Sequence, residues 1–353
     1  MNTVALRKQL PHLVSNLTKY FEIEAQTIQE LKAAVWGNSY IERPSLRPIR
    51  QKPILCLPDD NAIVLDPLFH IEKAMVGPLF MLTRQVKDLL VHFGDAFERY
   101  AQNILRIMYP KDLLVGDDLK IMTREGEIEI ADACLINAEK LLLFEMKAVW
   151  VRDDKVSDPD PEEYFNELRQ KYGKDGKAAD QMARAVNRLI TGQWIINGHN
   201  IQDIRRIYPV LIAYDPLLNT RGHSWFFRSD FRHALEPDGI LADSKITMVK
   251  GQWEVAPPTI VTIDILEDLE ASVKNFDLVD LLEDYYLYCD ANFRDADDDL
   301  SLPEFIGRSL YASKMDSRGS VRLKSLGLFK ESMRMIDPEN SQADFFRKDA
   351  STI

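Results

Sequence analysis

Three residues have types and spacing that could do chemistry: Asp132 and, after twelve intervening residues, Glu145 and Lys147. Glu145 and Lys147 close a run that opens with four apolar residues, Leu141 to Phe144. Strand side chains alternate with period two, so Glu145 and Lys147 share a face with Leu141 and Leu143. That face is buried at its start and charged at its end, which puts the pair at a sheet rim or in a polar cleft. Two carboxylates and a lysine on adjacent strands are the set that metal-assisted phosphodiester hydrolysis requires. Mg²⁺ is a hard cation held by one or two carboxylates while it keeps several waters. It neutralises a phosphate and lowers the pKa of a bound water. A neighbouring lysine orients that water or offsets developing negative charge. Asp132 and Glu145 would then hold Mg²⁺ or Mn²⁺, with Lys147 acting on the water. The bland alternative is a solvated pair on an edge strand, which contributes almost nothing.

The elements around these residues follow from periodicity. Residues 84–109 predict a helix with Phe93, Phe97, Tyr100, Ile104 and Ile107 on one stripe. Three strand-like runs follow, at 118–122, 127–136 and 140–151. Glu125-Gly126 makes a turn between the first two, and Asn137-Ala138-Glu139 between the second pair. A polar stretch from Arg152 to Pro161 leads to a helical region ending near Ile190, and a strand over 206–214 stops at Asp215-Pro216. The order α-β-β-β-α-β predicts an α/β (α+β) fold with a small mixed sheet.

On these residues the chain resembles the PD-(D/E)xK nuclease superfamily. Ala131-Asp132 and Glu145-Met146-Lys147 look like its signature, with alanine where the motif has proline. The order of elements is similar to the restriction-endonuclease-like αβββαβ core, here over residues 86–214. The resemblance implies Asp132 and Glu145 as metal ligands and Lys147 as the lysine. It also implies a glutamate on the preceding helix, for which Glu98 fits, and a polar residue on the following helix, for which Gln181 is the candidate. The QxxxY variant of that last motif is absent, because position 185 is alanine. Glu127 and Glu129 are rivals for the metal, but in a regular strand their parity is opposite to that of Asp132. A β-bulge near Ala131 would reverse it.

Gln181, Arg184 and Arg188 fall on one helical face, with Lys171, Lys174 and Lys177 upstream. Between Tyr164 and Arg206 eight basic residues face four acidic ones. Such a face would grip a phosphate backbone without reading sequence; its bland form is a solvated basic surface. Histidines at HxH or HExxH spacing, GxxxxGK[ST], GxGxxG and GxSxG are all absent, so zinc, nucleotide-driven and serine-hydrolase chemistry have no motif support. Trp150, Trp194, Trp225 and Trp253 read as core or rim residues rather than base-stacking platforms.

The 353 residues suggest three parts: a helical and hairpin module over 1–82, the nuclease domain over 83–220, and a mixed module over 221–353. In the first part residues 2–35 read as helix, interrupted at Pro11, and residues 54–57 and 62–65 as a hairpin. In the last, 225–228 and 259–266 read as strands and Arg308 to Met335 as a helix. With 46% hydrophobic and 28% charged residues the composition is that of an ordinary globular protein. The net charge of −12 is concentrated: Asp264 to Asp299 holds thirteen acidic and two basic residues. That acidic segment reads as an amphipathic helix, as a docking surface for a protein partner, or as an inhibitory cover for a basic groove. Three dispersed cysteines, no signal-peptide pattern and no long apolar run predict a cytoplasmic protein that does not enter membranes.

The residues and the resemblance together lead to the expectation of a Mg²⁺- or Mn²⁺-dependent endonuclease, with double-stranded DNA as the first-choice substrate because the resemblance implies it. A homodimer would allow both strands to be cut. The company such nuclease domains keep suggests a bacterial anti-phage or anti-plasmid defence role. The alternatives are a non-catalytic nucleic-acid-binding or scaffold subunit, and an RNase or structure-specific nuclease.

Overall fold

The computed structural model describes residues 25–36, 49, 52–57, 62–66, 88–123, 126–151, 161–173, 177–191, 203–235, 248–250, 253–292 and 300–315. The chain divides into two compact units, Met1–Leu90 with Arg152–Tyr164 and Leu328–Ile353, and Val91–Val151 with Phe165–Gly327. In the first, β1 (Ala25–Thr27) leads into α1 (Ile28–Trp36), followed by β2 (Ile54–Cys56) and β3 (Ala62–Val64). Thr27 starts α1 with a capping box: its hydroxyl accepts from the Glu30 N–H at 3.1 Å, and Glu30 accepts from the Thr27 N–H at 2.7 Å. The expected hairpin is present, Ile54 pairing Val64 and Cys56 pairing Ala62. The expected amino-terminal helix differs. Residues 25–27 extend to pair with β2 in parallel, and helix starts only at Ile28; residues 2–24 lie outside the described set.

The second unit contains the elements around Asp132, Glu145 and Lys147. It comprises α2 (Leu89–Met108), β4 (Leu113–Leu114), β5 (Lys120–Thr123), β6 (Gly126–Glu129), β7 (Ala133–Asn137) and β8 (Lys140–Lys147). Next come α3 (Pro161–Tyr172), of which Pro161–Tyr164 is counted with the first unit, α4 (Ala178–Ile190), β9 (Arg206–Ala213) and α5 (His223–Leu235). The last are β10 (Met248–Lys250), β11 (Trp253–Val255), β12 (Thr259–Thr262), α6 (Ile263–Ser272), α7 (Leu278–Asn292) and α8 (Leu302–Arg308). The main sheet runs β10-β11-β9-β8-β7-β4, and β12 pairs with β9 further along the edge that β11 occupies. Pro257-Pro258 separates β11 from β12 because proline has no N–H for the ladder. β8 and β9 are parallel, while β7 and β4 continue antiparallel, so the sheet is mixed and the protein is α+β as expected.

One side of the sheet packs Phe144, Met146, Tyr208 and Val210 against Phe97, Ala101, Ile104 and Leu105 of α2 and Leu278, Leu281, Leu282 and Tyr285 of α7. On the other side α4 covers β8 and β9, burying Met182, Ala183 and Val186. The α2 stripe is shifted from the expected one. Tyr100 and Ile107 are exposed while Ala101, Leu105 and Met108 are buried, and the Tyr100 hydroxyl instead donates to Glu267 at 2.6 Å.

Several predicted elements need correction. The run 118–122 does not enter the main sheet. Among the described residues Lys120–Thr123 pairs with Gly126–Glu129 as a two-stranded ribbon, and the short β4 takes the place beside β7. The run 127–136 is two strands, because the chain bends over 130–132. The strand expected to reach 151 ends at Lys147; beyond it, side chains satisfy the backbone. Lys171 Nζ donates to Trp150 O at 2.5 Å, Tyr172 Oη donates to Val149 O, and the Val151 N–H donates to Asp215 at 2.8 Å. Residues 225–228 are helical rather than extended: Phe226, Phe227 and Phe231 face inward from α5, which packs on α4, and tertiary burial overrides aromatic β-propensity. The strand expected over 259–266 stops at Thr262 and turns into α6. Helix α8 ends at Arg308 and a 3₁₀ turn follows over Leu310–Lys314, where one continuous helix was expected over 308–335, of which residues 316–335 lie outside the described set. The expected boundary at 220 falls inside this unit, since β11 and β12 complete the sheet that β9 belongs to.

The acidic segment is built into the same core. Leu278, Leu281, Leu282 and Tyr285 of α7 are buried, and Glu283 pairs with Lys140 and, at 2.6 Å, with Arg206. Lys140 and Arg206 sit side by side at the starts of β8 and β9. At about 3.3 Å per residue they lie roughly 20 Å along the strands from Lys147. The apolar face of α7 is thus a structural layer of the sheet's core, as the amphipathic-helix reading expects. Among the described residues no helix is long and apolar enough to cross a membrane.

Candidate functional site

The site assembles where β7 begins and β8 ends. Ala133 pairs Phe144, so Asp132 stands where the next pair would put it opposite Glu145. The chain turns away there, but the ladder is not left open. The Asp132 N–H donates to Phe144 O at 3.2 Å, and Asp132 Oδ2 accepts from the Met146 N–H at 2.6 Å. A carboxylate thus replaces a strand carbonyl, which anchors Asp132 beside the end of β8. The bend also explains how Glu129 bears on the site despite the parity of a regular strand: its charge raises the pKa of Glu98, Asp132 and Glu145 alike.

Strand parity holds for β8. Phe144 and Met146 enter the α2-side core, so Glu145 and Lys147 point to the other face. Glu145 is buried at 5% exposure, and the half-buried Lys147 places Nζ 2.5 Å from Glu145 Oε1. Glu98 reaches the cluster from α2. Its Oε1 accepts from Gln102 Nε2 at 2.9 Å, and the same nitrogen donates to Asp132 O at 2.9 Å. Gln102 was absent from the sequence reading. The signal that would have found it is its i, i+4 spacing from Glu98 on one helical face.

These carboxyls are electrostatically uncomfortable. Burial, then the charges of Asp132, Glu129 and Asp95, push Glu98 up to about 7, with Lys147 opposing. Asp132 is half-buried as a residue, yet its carboxyl is enclosed enough that desolvation is the largest influence raising its pKa, followed by Glu145. Desolvation likewise raises Glu145, and Lys147 opposes it. Three carboxyls that resist ionising together, with one lysine among them, fit a divalent cation in charge and in donor type. Asp132 and Glu145 are the residues that could hold it. Among the described residues no group of three or more His, Cys, Asp and Glu side chains is placed to hold a metal ion, so a cation here would rest on two carboxylates and water.

The α4 residues are placed more loosely. Lys177 precedes the helix and is exposed, Arg184 is exposed and lies 3.5 Å from Asp180, and Arg188 is half-buried. Gln181 is half-buried with Oε1 out of solvent and, among the described residues, without a hydrogen-bond partner. Lys171 is engaged with Glu167 at 3.1 Å and with Trp150 O, and Lys174 lies outside the described set. Trp150 is a rim residue, packing on Phe93 and Tyr214 with ring centroids 5.5 Å away in both cases. Trp253 is buried, Trp225 is exposed, and Trp194 lies outside the described set.

No protein-family model, curated protein or solved structure matches the chain.

Proposed function

We propose that the chain is a metal-dependent nuclease that hydrolyses phosphodiester bonds, with double-stranded DNA as its first substrate. The observation that carries this is the meeting of Asp132, Glu145, Lys147 and Glu98 at the junction of β7, β8 and α2. The main-sheet strands β4, β7, β8 and β9, with α2 before them and α3 and α4 between β8 and β9, support it, being similar to the αβββαβ order of the restriction-endonuclease-like core once the β5-β6 ribbon between β4 and β7 is set apart.

A bound Mg²⁺ or Mn²⁺ would supply charge neutralisation at the scissile phosphate and a more acidic water. Asp132 and Glu145 are the residues to hold the cation, as hard oxygen donors. The Met146 N–H fixes the orientation of Asp132 by hydrogen-bonding Oδ2. Lys147, held at Glu145, presents an ammonium that orients the attacking water and offsets negative charge on the phosphate. Glu98 assists from α2. Lys177, Arg184 and Arg188, with Gln181, would position the phosphate backbone.

The test is cleavage of supercoiled plasmid, linear duplex, single-stranded DNA and RNA with Mg²⁺ or Mn²⁺, for wild type, Asp132→Ala and Lys147→Ala. Metal-dependent cutting lost in both variants supports the proposal, and the preferred substrate separates DNase from RNase. A folded wild type that cuts none of the four with either metal sinks it.

A further inference from the structure

Gln102 is a polar residue on the buried side of α2, 8% exposed and flanked by Ala101, Ile104 and Leu105. Packing alone would favour leucine or methionine there, since burying an amide without partners is costly. This amide has partners. Nε2 meets Glu98 Oε1 and Asp132 O, both at 2.9 Å. An amide nitrogen has two protons, so these two acceptors use its whole donor capacity. One acceptor is the carboxyl that assists the proposed cation. The other is the backbone of a residue proposed to hold it, at the bend where β7 begins.

We propose that Gln102 is a positioning residue whose amide clamps the Glu98 carboxyl to the Asp132 bend, setting the separation of the two carboxyls for a divalent cation. Its purpose rests on the nuclease reading. Glu98 comes from a helix and Asp132 from a bend between strands, so no shared element fixes their distance. The Gln102 amide is the hydrogen-bonded link between them. Without it, Glu98 would turn toward solvent, away from its neighbouring carboxylates, and cation binding would have to pull it back.

The experiment measures Mn²⁺ binding to the full chain by titration calorimetry, for wild type, Glu98→Ala, Gln102→Leu and the double variant. Partners outside the ligand set commonly govern metal affinity by 10–100-fold, so Gln102→Leu is expected to bind roughly tenfold more weakly than wild type. In the Glu98→Ala background the same change should have no further effect. Unchanged affinity in Gln102→Leu, or an equal loss in both backgrounds, overturns the positioning role while the nuclease reading stands. A wild type that neither takes up Mn²⁺ nor cuts overturns both. Should Gln102→Leu fail to fold, the Gln102 side-chain amide signals in wild type and Glu98→Ala decide. Movement of one of its two proton resonances supports the clamp, and identical spectra overturn it.

Discussion

Replacing Glu98 by glutamine should stabilise the metal-free protein above neutral pH. The isostere keeps the oxygen that accepts from Gln102 and removes the charge. Glu98 is raised from 4.5 to about 7, so the folded state binds its proton more tightly than the unfolded chain. The stability from that proton is full below pH 4.5 and is lost as pH rises through about 7. At about 1.4 kcal/mol per unit the whole shift would be worth about 3 kcal/mol. The carboxyl keeps much of its contact with water, and screening reduces this to about 1–2 kcal/mol. For a unit of this size that is roughly 2–8 °C in Tm. Thermal unfolding in chelator, from pH 4 to pH 8.5, should therefore give coincident curves for wild type and Glu98→Gln at the acid end. A gap in favour of the variant should open between pH 5 and pH 8. Excess Mn²⁺ at pH 8 should then narrow it, because ligand that binds only the folded state stabilises the form that binds it better. Parallel profiles with no gap would refute a Glu98 carboxyl raised by burial and by its neighbours' charges. A gap that closed with rising pH would reverse its sign.

Arg184→Ala combined with Arg188→Ala should weaken duplex DNA binding and reduce the slope of log affinity against log salt by about 1–2; an unchanged slope in fluorescence anisotropy removes α4 from the interface. Ala138 holds φ at 53° in the two-residue turn between β7 and β8, so Ala138→Gly should raise stability by about 0.5–1 kcal/mol in urea unfolding. A loss there would contradict the turn geometry. Leu282→Ala should cost about 2–5 kcal/mol, because α7 is buried in the main core. For the same reason removal of residues 264–353 should leave an insoluble chain, not a more active one. A soluble, folded truncation would show that the acidic segment is dispensable after all.

Local regularities along the chain determined much of this protein. The alternation in Leu141 to Lys147 sets the face of Glu145 and Lys147, since strand parity needs only one strand. The hairpin turn at Ala138 and the helical character of α2 and α7 follow equally from short-range pattern. Tertiary structure alone decided the rest. At the bend over 130–132 Asp132 keeps a backbone bond to Phe144 O while its carboxylate takes the Met146 N–H, and the charge of Glu129 acts on the site from the strand before the bend. Aromatic residues 225–228 read as strand until α4 supplies a surface for a helix. Strands β11 and β12 join β9 over more than forty residues of separation, which no window of local periodicity can see. Gln102 was hidden for a similar reason: one of its two acceptors lies thirty positions away, and a buried amide is identified only by the partners that satisfy it.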